Sequence, residues 1–416
     1  MMKLKTLREA DVSDKTILYR SPYDIGVREK DGRLVLKDES RIKATLPTLR
    51  YLLEKRAKVV VMTWVKRPEG RVVEKLRTDP HARSLARLLK QPVKKTDDCI
   101  GPEVLAKIKK LKPAEILMLE NTRFHPGETT DDDHLARQMT EGKDLIVFDG
   151  FPQAHRIHAS TTGILRHLPA YAGFYLEKEV KNLSGLISSP KKPFGIIIGG
   201  AKISDKIDAI SNFLTRADFI LTGGGVANVF LKAEGCKMGH SFIEDVFVDK
   251  AKRQKKDWVA YARKILAKSG SKIILPVDLV IGDSLENPQR TKTVRLGLGK
   301  KLVPDKWAAL DIGPETQKLY QKKIAETKTA FLNGPMGLFE NGRFAQGSIA
   351  VVKALAKSRG RTVIAGGDTI EIARKAASLT DFSFVSLAGG ASLEFLAGKT
   401  LPALEPLLKT APSNLS

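Results

Sequence analysis

A short apolar stretch that breaks into two glycines and two lysines lies near the middle of the chain, at 194–206. Its β-branched residues, Ile196 to Ile198, predict a buried parallel strand. The glycines predict a tight turn, and a helix opening at Ala201 would place Lys202 and Lys206 on one face. Two ammonium groups at a strand-to-helix turn suit a phosphate chain. Taken alone, the stretch fits two ordinary surface lysines slightly better, because the P-loop pattern is incomplete.

The first half of the chain repeats a related pattern, in which an apolar run is followed by an arginine. The predicted strands are 16–20, 59–62, 115–119 and 145–148. Since helical segments alternate with them, they indicate βαβ units and a parallel sheet. Guanidiniums gathered beyond the carboxyl ends of such strands would form a cradle for phosphate or carboxylate, although each one alone fits a surface ion pair better. The arginines are Arg20, Arg67, Arg123 and Arg156 at the strand ends and Arg41 on the first helix.

Glycine-rich turns follow the predicted strands of the second half, at 223–225, 366–369 and 389–392, with a further turn at 333–340. Such turns bring backbone N–H groups and a helix dipole to bear on phosphate. One turn is weak evidence, but three in one sheet, with the two lysines at a fourth, predict a surface for a nucleoside triphosphate. Asp368 is placed to hold Mg²⁺ together with phosphate oxygens, and a helix N-cap is the competing interpretation.

The overall composition sets the broad class of protein. A chain of 416 residues, 42% hydrophobic and 28% charged, predicts two globular domains. No apolar run is long enough to span a bilayer, and the two cysteines, Cys99 and Cys236, lie far apart, so a cytoplasmic protein is predicted. The net charge of +24 favours anionic partners. Because the basic residues are spread along the chain without a nucleic-acid motif, a solvated basic surface is the favoured interpretation. Phosphorylated substrates would benefit from it secondarily, and nucleic acid is not favoured as a partner.

In their order and spacing, these motifs resemble the phosphoglycerate kinase family over nearly the whole chain. The strings that carry the resemblance are Asp-Glu-Ser-Arg-Ile at 38–42, Arg67-Pro68, Glu120-Asn121 with Arg123, Ala154-His155-Arg156 with His158, Gly-Gly-Ala-Lys at 199–202 with Asp205-Lys206, Asp-Ile-Gly-Pro at 311–314, Asn-Gly-Pro-Met-Gly at 333–337 with Glu340, Gly-Gly-Asp-Thr at 366–369 and Gly-Gly-Ala-Ser at 389–392.

The resemblance implies an α/β fold of two Rossmann-like lobes, each a parallel sheet covered by helices, joined by a hinge helix. The sequence predicts that helix from Tyr171 to about Ile187, and one more covering helix of a single large domain is the alternative. The implied boundaries are 1–174 for an acidic-substrate lobe, 175–187 for the interdomain helix, 188–397 for a nucleotide-binding lobe and 398–416 for a tail that returns to the first lobe.

The activity implied by the resemblance is reversible phosphoryl transfer between 1,3-bisphosphoglycerate and MgADP, giving 3-phosphoglycerate and MgATP, by a cytoplasmic monomer. Transfer of this kind requires positioning and charge neutralisation more than covalent help. The groups implied to act on the transferred phosphoryl group are Arg41, Lys202, and the amides of Gly367 and Gly390. Those implied to bind the acidic substrate are Arg20, Asp24, Trp64, Arg67, Arg123 and Arg156.

The nucleotide site implied by the resemblance lies entirely in the second half. Asp368 would bind Mg²⁺, Glu340 the ribose hydroxyls and Lys206 the nucleotide phosphates. The whole implied set is Lys202, Lys206, Gly223, Gly224, Gly225, Asn333, Pro335, Leu338, Glu340, Gly366, Gly367, Asp368 and Thr369.

The chain departs from the family pattern mainly where the acidic substrate is expected. The replacements are Pro22 for an aspartate expected to bond the substrate hydroxyl, Asp24 for asparagine, Trp64 for histidine, Lys66 for glycine, Leu387 for threonine and Ala388 for glycine. Loss of a polar partner for a hydroxyl weakens discrimination between substrates. Two alternatives therefore stay open beside the family reaction: a kinase of this fold that acts on a different small carboxylate or acyl phosphate, and a non-catalytic, basic, nucleic-acid-binding relative.

Overall fold

A computed structural model describes residues 2–249, 254–296 and 303–409. The described residues form two compact units, those of Met1–Asn182 with Thr400–Ser416 and those of Leu183–Lys399. The change of unit along the chain falls inside one helix, Phe174–Ser188. Residues 400–409 belong to the first unit, where the Ala403 amide donates to the carbonyl of Ala154 at 3.1 Å.

The first unit contains a six-stranded sheet in the order β5-β6-β4-β1-β7-β8, all of it parallel. Its strands are β1 (Thr16–Arg20), β4 (Lys58–Met62), β5 (Val93–Lys95), β6 (Ile116–Met118), β7 (Leu145–Phe148) and β8 (Ala170–Ala172), beside the hairpin of β2 (Val27–Lys30) and β3 (Arg33–Leu36). The helices are α1 (Ser40–Glu54), α2 (Asp79–Leu89), α3 (Pro102–Lys109), α4 (Asp133–Thr140) and α5 (Phe174–Ser188).

The second unit contains another six-stranded parallel sheet, in the order β13-β10-β9-β17-β18-β19. Its strands are β9 (Phe194–Ile198), β10 (Phe219–Thr222), β13 (Ile273–Ile274), β17 (Thr329–Asn333), β18 (Arg361–Ala365) and β19 (Phe384–Ser386). Two antiparallel additions are β11 (Val246–Asp249) with β12 (Gln254–Asp257), and β14 (Asp278–Gly282) between β15 (Thr291–Arg295) and β16 (Ala308–Ile312). The helices are α6 (Ile207–Phe213), α7 (Gly224–Ala233), α8 (Trp258–Ser269), α9 (Pro314–Ala325), α10 (Gln346–Ala356), α11 (Gly367–Ala376) and α12 (Gly390–Leu396).

These sheets confirm the predicted α/β class with two parallel sheets. In the first unit, alternate residues of the central strands, such as Tyr19, Val61 and Val147, pack into one core with Leu49 of α1. Every residue of β9 is buried, as a strand between two parallel neighbours requires. The carboxyl ends of the strands in each sheet carry the loops that form the candidate site of that unit.

Two predicted helix starts are wrong. The residues from Ala201 to Lys206 form a turn, and α6 begins only at Ile207. The helix predicted from Tyr171 begins at Phe174, because Ala170–Ala172 pairs with β7 as a strand.

His81 on α2 gives the first unit a pH-dependent stability. Its ring is fully buried, Nε2 lies 3.2 Å from the carbonyl oxygen of Ile25, and burial lowers the pKa of His81 to about 4. An unfolded histidine binds a proton nearer pH 6.5, so the unfolded state binds more protons as the pH falls. The contribution of His81 is therefore a loss of stability with falling pH, of about 2 kcal/mol between about pH 7 and about pH 5.

We expect His81→Leu to remove that part of the acid sensitivity. The measurement is urea unfolding at the two pH values, followed by the fluorescence of Trp64, the one tryptophan in the sequence of this unit. The two tryptophans of the other unit are removed by Trp258→Phe and Trp307→Phe in every protein compared. His134→Gln, at an exposed position of α4, is the control. An acid sensitivity that is the same in wild type and His81→Leu would contradict the assignment.

Candidate active site

The carboxyl edge of the first sheet gathers positive charge around one buried arginine. Arg20 ends β1, is fully buried, and donates from Nε to the Ser160 carbonyl at 2.7 Å and from Nη1 to the Ser21 carbonyl at 2.5 Å. Its Nη2 is buried and has no hydrogen-bond partner among the described residues. Burial lowers the pKa of Arg20 to about 10, against the attraction of Glu128. The group therefore stays charged near neutral pH, and both N–H donors of Nη2 are unused.

Trp64 brings two guanidiniums together. Its indole is almost completely buried, with the Cζ atoms of Arg20 and Arg123 lying 4.6 and 4.1 Å from the ring centre. The His158 ring lies 5.0 Å away. Cations placed over an indole face are stabilised by its quadrupole. The tryptophan therefore holds two like charges close together without adding a negative charge.

Asp24 fixes the loops on either side of that indole. Its Oδ1 accepts from the Lys66 amide at 2.9 Å and its Oδ2 from Trp64 Nε1 at 3.3 Å. Its backbone carbonyl accepts from Arg41 Nη1 at 3.1 Å. Lys66 has a φ of +54°, a left-handed conformation that the bond to Asp24 helps to hold. Both carboxylate oxygens of Asp24 are thus engaged inside the protein.

The remaining predicted arginines of this region are more open. Arg67 and Arg156 are exposed, and within the described part of the chain neither guanidinium has a hydrogen-bond partner. Burial lowers the pKa of Arg123, and the carboxylates of Asp24 and Glu128 oppose that shift. Arg156 and Arg67 add to the lowering by repulsion. Its Nη1 donates to the Lys66 carbonyl at 2.6 Å. The first unit therefore holds a cluster of cations that an acidic ligand would neutralise.

Glu128 is a buried carboxylate beneath this cluster that the sequence reasoning missed. It accepts from the Ser160 amide at 3.0 Å and from Ser160 Oγ at 2.5 Å. Burial raises the pKa of Glu128, while Arg20 and Arg123 oppose that rise. It ends a short 3₁₀ helix, Pro126–Glu128, on the connection that follows β6. No local pattern marks it, since its partner Ser160 is 32 residues away.

A cavity of about 300 Å³ occupies the carboxyl edge of the sheet in the second unit. The predicted residues that line it are Gly224, Gly225, Pro335, Leu338, Glu340 and Asp368, with Gly200 and Ala201 beside them. Sequence reasoning missed its apolar wall, which includes Phe242, Leu279, Leu285 and Leu310. Phe242 and Leu285 are large side chains left 40% and 37% exposed. An apolar wall with a few polar groups at its rim is typical of a small-molecule site.

Other predicted residues support this cavity from outside its wall. Asn333 Nδ2 donates to the Ala365 carbonyl at 3.0 Å, and the Gly334 amide donates to Thr369 Oγ1 at 2.7 Å, which ties two turns together. Gly223 and Gly366 are the N-cap residues of α7 and α11. Gly367 and Gly390 are the first residues of α11 and α12.

Asp368 and the two lysines provide the charges of this unit's site. Asp368 lies in the first turn of α11, where Gly366 is the N-cap, so the N-cap interpretation of Asp368 is wrong. Its exposed carboxylate forms no hydrogen bond or ion pair within the part of the chain that the structure describes. Burial lowers the pKa of Lys206, and Asp205 and Asp368 oppose that shift. Lys202 is exposed in the preceding turn.

The glycines of the cavity allow backbone segments to approach closely. A Cβ added at Gly225 would lie 2.1 Å from the carbonyl oxygen of Ala201. A Cβ at Gly199 would lie 2.0 Å from the carbonyl oxygen of Pro335. Because backbone atoms form these contacts, a side chain cannot be accommodated by a rotamer change.

We therefore expect Gly225→Ala to destabilise the second unit by about 1–3 kcal/mol and to weaken nucleotide binding. Thermal unfolding and ADP titration would measure both effects. Gly342→Ala is the control, since nothing lies within 4 Å of its added Cβ. Equal behaviour of the two variants would show that the close approach at Gly225 has no energetic role.

The fold and its two sites define an α/β phosphotransferase with two units. A family model described as phosphoglycerate kinase matches residues 7–399. A phosphoglycerate kinase of Moorella thermoacetica is 44% identical over 98% of this chain and 99% of its own, and one of Pelotomaculum thermopropionicum is 41% identical over 98% and 100%. A solved phosphoglycerate kinase of Pyrococcus horikoshii is 34% identical, with a TM-score of 0.82 over 97% of this chain and 98% of its own. The chain belongs to the phosphoglycerate kinase family.

No helix in the described ranges is long and apolar enough to cross a membrane.

Proposed function

We propose that the protein catalyses reversible phosphoryl transfer between 1,3-bisphosphoglycerate and MgADP, giving 3-phosphoglycerate and MgATP. The observation that carries the proposal for the acidic substrate is the buried Arg20, whose Nη2 has no partner in the described part of the chain. A buried, charged donor without an acceptor is costly, and a phosphate or carboxylate oxygen would supply the acceptor. Arg67, Arg123 and Arg156 add charge for the second anionic group of that substrate.

The cavity of the second unit is the proposed nucleotide site. Its apolar wall, with 223–225 and 335–338, would accommodate the adenine, and Glu340 would accept hydrogen bonds from the ribose hydroxyls. Lys206 would contact the nucleotide phosphates. Lys202 and Arg41 would neutralise the equatorial oxygens of the transferred phosphoryl group, together with the amides of Gly367 and Gly390 at the starts of α11 and α12.

Asp368 is the proposed ligand of Mg²⁺, and its environment fits that role. Mg²⁺ is commonly held by one or two carboxylates together with substrate phosphates. The carboxylate is exposed at the cavity wall, and in the described ranges it has no hydrogen bond that a metal would have to displace. When bound, the ion would neutralise phosphate charge, while Lys206 would hold the same phosphates from the protein side.

A second candidate function rests on the loops around Trp64. Each oxygen of Asp24 already accepts one hydrogen bond, from Lys66 or from Trp64, and Pro22 has no polar side-chain atom. This loop therefore offers a substrate hydroxyl less acceptor capacity than the family pattern does. A site rich in arginines and poor in hydroxyl acceptors discriminates between substrates by the spacing of their anionic groups more strongly than by their hydroxyl groups. It favours, as the alternative, phosphoryl transfer to a different small carboxylate.

ATP-dependent phosphorylation of 3-phosphoglycerate by the purified protein, with Lys202→Ala as control, tests the proposal. Turnover that the control variant abolishes would support the family reaction. Nucleotide binding without turnover would refute it and direct the search to other carboxylates, with Pro22→Asp plus Trp64→His as the first rescue variant. A cytoplasmic monomer remains part of the proposal by family likeness, and sedimentation equilibrium would test the monomer.

A further inference from the structure

We propose that the second unit has an additional site for a small anion carrying two or more phosphate groups, distinct from the nucleotide cavity. The site is a pocket of about 470 Å³ lined by eight residues, which are Ser189, Lys191, Thr327, Lys328, Thr329, Arg359, Gly360 and Arg361. Half of them are lysine or arginine, against 71 of 416 in the chain as a whole. None of these described lining residues is acidic, so the lining of the pocket is more basic than the average of the chain.

The pocket lies at the opposite end of the strands from the nucleotide cavity. Thr329, at the start of β17, pairs in register with Phe194 of β9 and with Arg361 of β18. The nucleotide cavity is lined by residues that follow the carboxyl ends of these same three strands. A strand of five residues is about 17 Å long, so a ligand in one pocket does not occupy the other.

Three of the four cations that line the pocket are available to a ligand. Lys191, Lys328 and Arg359 are exposed, and none has a hydrogen bond or ion pair from its side chain among the residues that the structure describes. Like charges that converge on one pocket repel each other, and an anion with several charges would relieve that repulsion. Lysine and arginine are also the residues that bind phosphate groups most strongly.

The main competing explanation is that these cations complement helix dipoles. Helices α5, α9 and α10 end at Ser188, Ala325 and Ala356. Three residues after these ends come Lys191, Lys328 and Arg359, respectively. Such cations can stabilise a helix by interacting with the negative end of its dipole. The helix-dipole explanation predicts that removing these cations lowers stability and that the pocket binds no anion. Experiment can therefore separate it from the proposed anion site.

The test is equilibrium dialysis with pyrophosphate as the probe, at fixed ionic strength and with MgADP and 3-phosphoglycerate in excess to fill the sites proposed above. The variant is Lys328→Ala with Arg359→Ala. Both side chains are exposed, and the hydrogen bonds that Lys328 forms within the described chain are made by its backbone. The control is Lys318→Ala with Lys322→Ala, which removes the same charge from exposed positions of α9 in the same unit.

We expect wild type and control to bind about one pyrophosphate per chain and the variant to bind at least tenfold more weakly. Lys191→Ala should weaken binding in the same direction, and it provides a second reading if the double variant fails to fold. Equal binding by variant and wild type, or equal weakening in the control, would overturn the proposal. A variant that lowers only the melting temperature would overturn it in favour of the helix-dipole explanation.

Discussion

Asp368→Asn is expected to lower kcat/KM for MgATP by about 10²- to 10³-fold. Asparagine keeps the size of the side chain but removes the charge that would hold a hard divalent ion. The Mg²⁺ concentration that gives half-maximal activity should rise as well. That second measurement separates loss of a metal ligand from a general disturbance of the cavity, which would lower activity at every Mg²⁺ concentration.

Glu371→Gln is the matched control for this prediction. Glu371 is an exposed carboxylate on the same helix, and it is paired with Lys375 at 2.7 Å. Its loss should leave the Mg²⁺ dependence unchanged. Removing a negative charge from the first turn of α11 also costs about 0.3–1 kcal/mol of helix stability, which is too little to account for the expected loss of activity. A Mg²⁺ dependence like that of wild type in Asp368→Asn would rule out the carboxylate as the ligand.

The alternation of strands and helices was sufficient to predict two parallel sheets. The prediction succeeds because buried parallel strands need continuous apolar runs. Such runs, for example 196–198, can be read directly from the sequence. The recurrence of arginine after strands also predicted which loops meet. The structure brings Arg20 and Arg123 to one indole ring, with Arg67 and Arg156 near enough to change the pKa of Arg123.

Contacts between distant residues explain why two helix starts could not be predicted. In the turn after β9, the amide and hydroxyl of Ser204 are both bound by Glu244, at 2.9 and 2.6 Å, which holds that segment away from helix. The run at Ala170–Ala172 pairs with β7 and, through a bridge, with Thr6. Local propensity alone cannot predict such pairings, because tertiary contacts override it.

The candidate site was predictable only where its residues form local motifs. Glycine turns and strand-end arginines form such motifs. The apolar wall of the nucleotide cavity forms no local motif, because two of its residues, Leu279 and Leu310, come from the small antiparallel sheet of β14 and β16. Their sequence pattern is that of ordinary strand residues. Only the fold places them beside the glycine turns.

Arg20→Lys is expected to raise the KM for 3-phosphoglycerate at least tenfold and to destabilise the first unit by about 2–4 kcal/mol. Lysine keeps the positive charge, but its single nitrogen cannot reach both the Ser160 and Ser21 carbonyls and still leave a donor for the ligand. Initial rates and thermal unfolding would measure the two effects separately, with assays well below the melting temperature of the variant.

Arg56→Lys is the control, because Arg56 is an exposed arginine of the same unit whose partner is Asp14 at 3.1 Å. Exposed ion pairs of this kind contribute about 0–1 kcal/mol, so neither stability nor KM should change appreciably. The two effects of Arg20→Lys need not occur together. Destabilisation with an unchanged KM would mean that the guanidinium only ties loops together and that the unused Nη2 donor does not bind the substrate. A raised KM in a variant that still folds would identify that donor as part of the acidic-substrate site.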